Sequence, residues 1–148
     1  MGNSGFSLLT LALVTLAAAA QEKCALSGTW TSSRGCRMLI FELKGGAFSG
    51  LYLPQEAMVP YHNVLASPLR GAQHDTSGKA QPSFGFTVHW CFRESPAGAT
   101  TAFVGQCFVD SDGQEMLRTA WLLREEAAAA RDDWKATRVG TNVFTRVK

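Results

Sequence analysis

The stretch FGFTVHWCF at residues 84–92 decides the fold class of this 148-residue chain. Large apolar side chains occupy every second position, namely Phe84, Phe86, Val88, Trp90 and Phe92. Successive side chains of a β-strand point to opposite faces, so this period of two places all of them on one face. The stretch therefore predicts a strand with one bulky apolar face, which is what the interior of a β-barrel requires.

Segments on both sides of this stretch also have the composition of strands, and turns rich in glycine, proline or polar residues separate them. These segments are residues 28–31, 37–43, 47–53, 63–73, 101–109, 117–123 and 134–147. Residues 125–131 are strong helix formers and predict a short helix before the last strand. Eight strands can close around one small ligand. The sequence thus predicts an all-β fold, an eight-stranded antiparallel up-and-down β-barrel.

The N-terminal region differs in composition from the rest of the chain. Residues 6–20 are uncharged and mostly apolar, and they end in four alanines. An apolar run of this length before small residues predicts a signal peptide over residues 1–20, followed by one barrel domain over residues 21–148. The expected location is therefore extracellular, where disulfide bonds form and persist.

Charge and residue spacing argue against several classes of function. The net charge is only +2 and the basic residues are dispersed, so neither a nucleic acid nor a membrane is expected as a partner. The histidines, His62, His74 and His89, do not group with the cysteines at zinc-site spacing. No nucleophile–base pair stands out either, so catalytic residues, a metal site and an enzyme activity are not expected.

Cysteine and tryptophan are the two residue types that leave alternatives open. Four cysteines, Cys24, Cys36, Cys91 and Cys107, allow three complete pairings. Tryptophan offers a large rigid apolar surface with one polar group, which suits a ligand pocket as well as an ordinary core. The four tryptophans are Trp30, Trp90, Trp121 and Trp134. Composition alone does not separate a pocket from a core.

Longer sequence motifs favour a ligand pocket over an ordinary core. The stretches QPSFGFTVHW at 81–90, GQCFVD at 105–110, TAWLLR at 119–124 and DDWKATRVGTNVFTR at 132–146 closely resemble strand motifs of the avidin family. The resemblance begins at CALSGTW, residues 24–30, and extends to the C-terminus. It implies an avidin-like barrel that binds biotin as a ligand, needs no cofactor and catalyses no reaction.

The resemblance also implies which residues surround the apolar part of the ligand. Trp90, Phe103 and Trp121 match the aromatic box of the family, and Phe92 and Leu123 match further wall positions. Trp134 matches a tryptophan that avidins contribute to the pocket of a neighbouring subunit, which implies a homotetramer.

Polar contacts to biotin follow from the same resemblance. Tyr52 matches a hydroxyl that donates to the ureido oxygen, and Asn142 matches a side chain that accepts from a ureido N–H. Thr101 matches the hydroxyl that faces the sulfur, and Ser95 matches a contact to the valerate carboxylate. A ureido group needs donors at oxygen and acceptors at nitrogen, and such bonds are stronger in a dry interior.

Several positions depart from the family pattern. Ser32 takes the place of an asparagine donor, Cys36 that of a serine, and Pro54 that of a hydroxyl acceptor. Arg93 replaces a small hydroxyl residue and is expected either to be solvated or to bind the carboxylate of biotin. Each neutral hydrogen bond contributes about 0.5–1.5 kcal/mol, so these changes predict weaker affinity. The alternative is an avidin fold that carries another small apolar ligand or a biotin analogue.

The remaining expectations from the resemblance concern structure. Cys24 and Cys107 occupy paired positions of the family and are expected to form a disulfide. Cys36 is expected to point inward and Cys91 outward, which places the two poorly for pairing. Trp30 is expected to pack under a C-terminal arginine, for which Arg146 is the candidate.

Overall fold

The computed structural model describes residues 24–41, 44–54, 64–74, 81–93 and 98–148. Along these segments the strands are β1 Gly28–Ser32, β2 Arg37–Ile40, β3 Ala47–Leu53, β4 Ser67–Gln73, β5 Ser83–His89, β6 Ala99–Val109, β7 Glu115–Glu125 and β8 Thr137–Arg146. Each strand pairs with the next in antiparallel fashion, and β8 pairs with β1 to close the barrel. A 3₁₀ helix, Ala130–Ala136, connects β7 with β8. The predicted barrel is confirmed. Among the described residues, no helix has the length and hydropathy that crossing a membrane requires.

The alternation that decided the fold class is present in β5. Phe84, Phe86 and Val88 are buried, whereas Ser83 and His89 at the ends of the strand are exposed. A strand with one buried and one accessible face therefore forms the central part of the predicted stretch.

The ladder of β5 ends earlier than the alternation suggests. Beyond His89, the Trp90 N–H donates to the Ala99 carbonyl at 3.0 Å, and Phe92 forms an isolated bridge with Val64. The predicted strand 84–92 is therefore regular only as far as His89, and the contacts beyond it, to Ala99 and to Val64, lie outside the regular ladder.

The link between β7 and β8 corrects the predicted helix. The sequence places a helix over residues 125–131 and Trp134 in the last strand, but β7 continues to Glu125 and the helix spans Ala130–Ala136. Glu125 pairs with Ala99 of β6, and Arg124 pairs with Thr137 of β8. Strand pairing with β6 outweighs the helix propensity of Glu125, since tertiary context routinely overrides intrinsic propensity, and residues 126–129 form neither strand nor helix.

Two other predicted strands are longer than the observed ones. β2 ends at Ile40, and β4 begins at Ser67 rather than at residue 63. Residues 42, 43 and 63 lie outside the described part of the chain. The same is true of the predicted signal peptide over residues 1–20 and of Ser95.

The apolar core lies in the barrel interior. Its fully buried large side chains come from six different strands and from the segment before β1, and they are Leu26, Trp30, Met38, Ile40, Leu69, Val88, Leu117 and Phe144. Burial of each such side chain contributes about 1.5–3 kcal/mol.

A cluster around Arg146 closes one end of the barrel. The guanidinium carbon lies 4.2 Å from the ring centroid of Trp30. Arg146 also forms an ion pair with Glu115 and donates to the carbonyls of Ser27, at 2.9 Å, and Ala25. The expected packing of Trp30 against Arg146 is therefore confirmed, and a cation–π contact strengthens it.

The cysteines pair as the resemblance implies. Cys24 and Cys107 form a disulfide that joins the segment before β1 to β6, and both are buried. Cys36 and Cys91 are free and half-buried. The disulfide lies near the Arg146 cluster, because Cys107 pairs with Leu117 in the same ladder in which Val109 pairs with Glu115.

Candidate ligand-binding site

The two ends of the barrel follow from the direction of the strands. At the end that we call the closed end lie the disulfide and the Arg146 cluster. The opposite end, which we call the mouth, is where the odd-numbered strands finish, at Ser32, Leu53, His89 and Glu125. Most of the residues expected to bind a ligand lie in the half of the barrel nearer the mouth, where Tyr52 and Phe103 belong to the core and Cys36, Trp90 and Trp121 pack against it.

An aromatic cluster occupies this part of the interior. The ring of Tyr52 lies edge-on to Trp90 at a centroid distance of 5.3 Å and stacks against Phe103 at 5.9 Å. Phe103 stacks in turn on Phe86 at 4.6 Å, and Phe144 meets both Tyr52 and Phe103. Aromatic pairs in these geometries add favourable energy beyond their burial. The cluster is therefore a rigid apolar surface and not a loose lining.

A side-chain hydrogen bond orients Trp90. Its indole N–H donates to Oγ1 of Thr101 at 2.8 Å. Thr101 is buried on the inward face of β6, and Trp90 is half-buried. The N–H is the only polar group of the indole, so once it is bonded the ring presents only apolar atoms to its surroundings.

Polar groups converge on the Tyr52 hydroxyl. Tyr52 is buried on β3, and the side chains of Cys36 and Asn142 both act on its hydroxyl. Burial raises the pKa of Tyr52 well above its ordinary value; the Cys36 thiol raises it further, and the Asn142 side chain opposes the shift. The hydroxyl therefore keeps its proton and can donate it. The Tyr52 hydroxyl, a donor, and the Asn142 side-chain amide therefore lie together beside the aromatic cluster.

Trp121 depends on a glycine in the next strand. Trp121 of β7 and Gly140 of β8 are paired in the ladder, and a Cβ atom at Gly140 would collide with the indole ring. The ring therefore packs directly over the backbone of β8. Leu123, two positions along β7, is half-buried on the same face.

Residues 20–147 match the sequence model of the avidin family. The chain belongs to the avidin family. Chicken (Gallus gallus) avidin is 46% identical over 142 residues, which cover 95% of this chain and 90% of avidin. Chicken avidin-related protein 4/5 is 50% identical over 141 residues, covering 95% of this chain and 89% of that protein.

Solved structures agree with this membership. The X-ray structure of a biotin binding protein from chicken shares 55% sequence identity with this chain, with a TM-score of 0.75, and the match covers 86% of this chain and 99% of that one. The crystal structure of Xenavidin shares 38% identity with a TM-score of 0.74, covering 84% and 99% of the two chains. The avidin barrel and the barrel of this chain are thus the same fold.

Two departures from the avidin pattern meet in the turn between β1 and β2. The Ser32 N–H donates to the Cys36 carbonyl at 2.8 Å, and the Cys36 N–H donates to Ser32 Oγ at 3.1 Å. The buried Ser32 hydroxyl oxygen therefore serves the turn, while its proton is still available as a donor. Pro54, the third departure, is half-buried directly after β3.

Three predicted residues follow β5 in the chain. Phe92 is half-buried in its bridge with Val64, and Arg93 is exposed. Ser95 follows in residues 94–97, which the structure does not describe. The exposed position of Arg93 is compatible with a solvated side chain and with a contact to the carboxylate of biotin.

Trp134 stands apart from the other predicted residues. It belongs to the Ala130–Ala136 helix, none of whose residues is buried, and 78% of its surface is exposed. Tryptophan is enriched at protein–protein interfaces relative to the rest of the protein surface, so this exposed indole is a candidate contact for a partner. Trp134 therefore contributes nothing to the interior of its own barrel.

Three residues that sequence reasoning missed support the site. Ser67 is fully buried; its Oγ donates to the Leu65 carbonyl at 2.9 Å and accepts from the Cys91 N–H at 3.0 Å. Thr119 Oγ1 donates to the Asn142 carbonyl at 3.0 Å. Gly140 accommodates Trp121. All three act across strands, so no local pattern in the sequence reveals them.

The arrangement can bind and orient a small molecule. It combines a rigid aromatic surface with a few fixed polar groups, which is the usual composition of a ligand site. Within the described segments, no three side chains of histidine, cysteine, aspartate or glutamate come together as a metal site would require.

Proposed function

We propose that this chain is a secreted biotin-binding protein that holds biotin inside its barrel. The observation that carries the proposal is the convergence of Tyr52, Cys36 and Asn142 beside the aromatic cluster, in a member of the avidin family. The chicken structure that shares 55% identity with this chain is described as a biotin binding protein.

The geometry suits the two halves of the biotin molecule. The neutral Tyr52 hydroxyl would donate to the ureido oxygen, with Ser32 and Cys36 beside it, and Asn142 would accept from a ureido N–H. Trp90, Phe103 and Trp121, with Phe92 and Leu123, would enclose the ring system, while Thr101 would face the sulfur. Arg93 and Ser95 would meet the carboxylate. No separate cofactor and no catalysed reaction belong to this proposal.

We also propose a homotetramer in which Trp134 completes the pocket of a neighbouring subunit. The outward faces of β6, β7 and β8 carry exposed apolar side chains, and these are Val104, Leu122, Val139 and Val143. Val139 is 71% exposed and pairs with Leu122, so the two form a continuous patch. Contiguous exposed apolar surface marks protein–protein contacts. A second copy of the chain would cover this patch and Trp134.

Secretion would follow from a signal peptide over residues 1–20, which releases the barrel domain of residues 21–148. The apolar run at residues 6–20 supports this proposal, and so does the disulfide between Cys24 and Cys107, because structural disulfides are typical of exported proteins.

Titration calorimetry tests the ligand. We expect biotin to bind one site per chain, and Asn142→Ala to weaken binding by about 1–3 kcal/mol, or roughly 5- to 150-fold, because a ureido N–H loses its acceptor. Asn142 is half-buried, so the thermal stability of the variant is compared with that of the wild type. Absence of biotin binding to the folded wild type contradicts the proposal.

Native mass spectrometry tests the tetramer, and a monomer at binding concentrations rules out a shared site.

A second candidate function is the capture of another small apolar ligand or a biotin analogue. The thiol of Cys36, where a serine is expected, favours it, since a thiol is a weaker hydrogen-bond donor to a ureido oxygen than a hydroxyl is. Competition against a fluorescent biotin conjugate distinguishes the candidates: a ligand that displaces the conjugate more effectively than biotin does would favour the second.

A further inference from the structure

The helix that carries Trp134 has little of its own to hold it in place. It has seven residues, all within the fully described segment 98–148, and none of them is buried. Short 3₁₀ segments are not stable alone, because few hydrogen bonds form for each residue that is ordered. Polar contacts with the barrel must therefore determine where the helix lies.

These contacts converge on the residue before Trp134. Arg124, near the end of β7, forms an ion pair with Asp133. Nη1 of Arg124 donates to Thr137 Oγ1 at 3.2 Å, and this hydroxyl donates to the Asp133 carbonyl at 3.0 Å. The Thr137 N–H donates to the carbonyl of Trp134 itself. We call Arg124, Asp133 and Thr137 the clamp.

We propose that Arg124 is a positioning residue for Trp134: through the clamp it holds the helix in the orientation in which the indole reaches a neighbouring pocket. The inference rests on the proposed sharing of Trp134 between subunits. A lid that is already ordered loses less conformational entropy when it closes over a ligand, so the clamp slows the escape of the ligand.

Two nearby ion pairs show why Arg124 in particular has this role. Lys135 pairs with Asp132 at 3.1 Å, but both belong to the helix and do not attach it to the barrel. Arg138 of β8 pairs with Glu125 of β7 at 3.8 Å and leaves the helix out. Arg138 is therefore a matched control, because it is an arginine in an exposed ion pair between the same two strands.

The experiment measures the rate at which biotin dissociates from the intact protein. The wild type, Arg124→Gln, Arg138→Gln, Trp134→Ala and the double variant Arg124→Gln/Trp134→Ala are loaded with labelled biotin and chased with unlabelled biotin. Native mass spectrometry confirms that all are in the same assembly. We expect Arg124→Gln to speed dissociation about two- to fivefold, the range for an exposed ion pair, and Arg138→Gln to leave it unchanged. In the Trp134→Ala background, Arg124→Gln is expected to add nothing.

The results separate two proposals, the sharing of Trp134 between subunits and the positioning role of Arg124. If Trp134→Ala itself does not change dissociation, the sharing of Trp134 fails and the role of Arg124 fails with it. If Trp134→Ala speeds dissociation but Arg124→Gln does not, only the positioning role is overturned. It is also overturned if Arg124→Gln has the same effect with and without Trp134, or if Arg138→Gln matches it, because a general effect on the barrel would then explain the result.

Discussion

The closed end and the mouth of the barrel use charged residues in opposite ways. At the closed end, Arg146 lies against Trp30 and is bonded to Glu115 and to two backbone carbonyls, with only 18% of its side chain exposed. At the mouth, the ion pair between Arg124 and Asp133 is about half exposed and adjoins a helix without a buried residue.

This difference indicates which end of the barrel contributes more to folding stability. A buried charge that loses its partner is stranded in a low-dielectric environment, which is strongly unfavourable. An exposed ion pair is already hydrated and contributes little to stability. The closed end therefore stabilises the barrel, whereas the mouth can vary its charges and present Trp134 without a large loss of folding free energy.

Glutamates at the two ends of β7 provide the largest expected effect. Glu115→Ala removes the partner of Arg146 and is expected to lower the free energy of unfolding by about 3–5 kcal/mol. Glu125→Ala at the mouth removes only the exposed pair with Arg138 and is expected to cost less than about 1 kcal/mol. Urea denaturation measures both. Equal losses of unfolding free energy in the two variants would show that the closed end does not stabilise the barrel more than the mouth does.

Gly140 tests whether the interior near the mouth is as tightly packed as the core. Gly140→Ala forces the Trp121 ring to move, and overpacking of this kind costs about 1–3 kcal/mol. We also expect biotin affinity to fall, because the displaced ring no longer lies where the ligand would meet it, and a loss of about 1–3 kcal/mol in binding free energy would correspond to roughly 5- to 150-fold. Gly98→Ala is the control, because a Cβ there meets nothing within 4 Å. Unchanged affinity in Gly140→Ala would show that the ring has room to shift.

Cys36 sharpens the comparison by changing one hydrogen bond at the mouth. A hydroxyl is a stronger donor than a thiol, so Cys36→Ser is expected to tighten biotin binding by about 0.5–1.5 kcal/mol, or roughly two- to tenfold. Cys91→Ser, the other free cysteine, is expected to leave calorimetric affinity as it is. Weaker binding by Cys36→Ser would mean that the thiol contributes packing that the hydroxyl does not replace.

Tyr52 gives the smallest effect, which appears only in alkaline solution. Burial raises the pKa of Tyr52 in the folded state, so above a pH of about 10 the unfolded chain loses this proton while the folded chain keeps it. Stability is therefore expected to be complete below that pH and to fall as the pH rises further. Tyr52→Phe should remove this component. Parallel unfolding curves of the two proteins from about pH 8 to about pH 11 would contradict the burial of the hydroxyl.

The inward faces of the strands were largely predictable from the sequence. Phe84, Phe86 and Val88 alternate with smaller or polar residues, and they are buried as the period of two requires. The avidin motifs correctly indicated the pairing of Cys24 with Cys107. These features depend on neighbours in the sequence or on long motifs, both of which can be recognised in a single chain.

The elements at the mouth were predicted less well. Glu125 does not join the predicted helix, because β7 pairs with β6 as far as Glu125 and with β8 as far as Arg124, and residues 126–129 form neither strand nor helix. Trp134, expected in a strand, lies in the helix that follows. Local propensity is weak compared with a ladder of backbone hydrogen bonds, and the length of that ladder depends on the neighbouring strands.

The sequence by itself determined the fold class, the inward face of the strand at residues 84–92 and the residue types available to a ligand, because alternation and motif are local properties. Only the tertiary structure decided that Gly140 lies under Trp121, that Thr119 bonds to the Asn142 carbonyl and that Arg124 pairs with Asp133. These contacts depend on the register between strands, and closing the barrel sets every register at once.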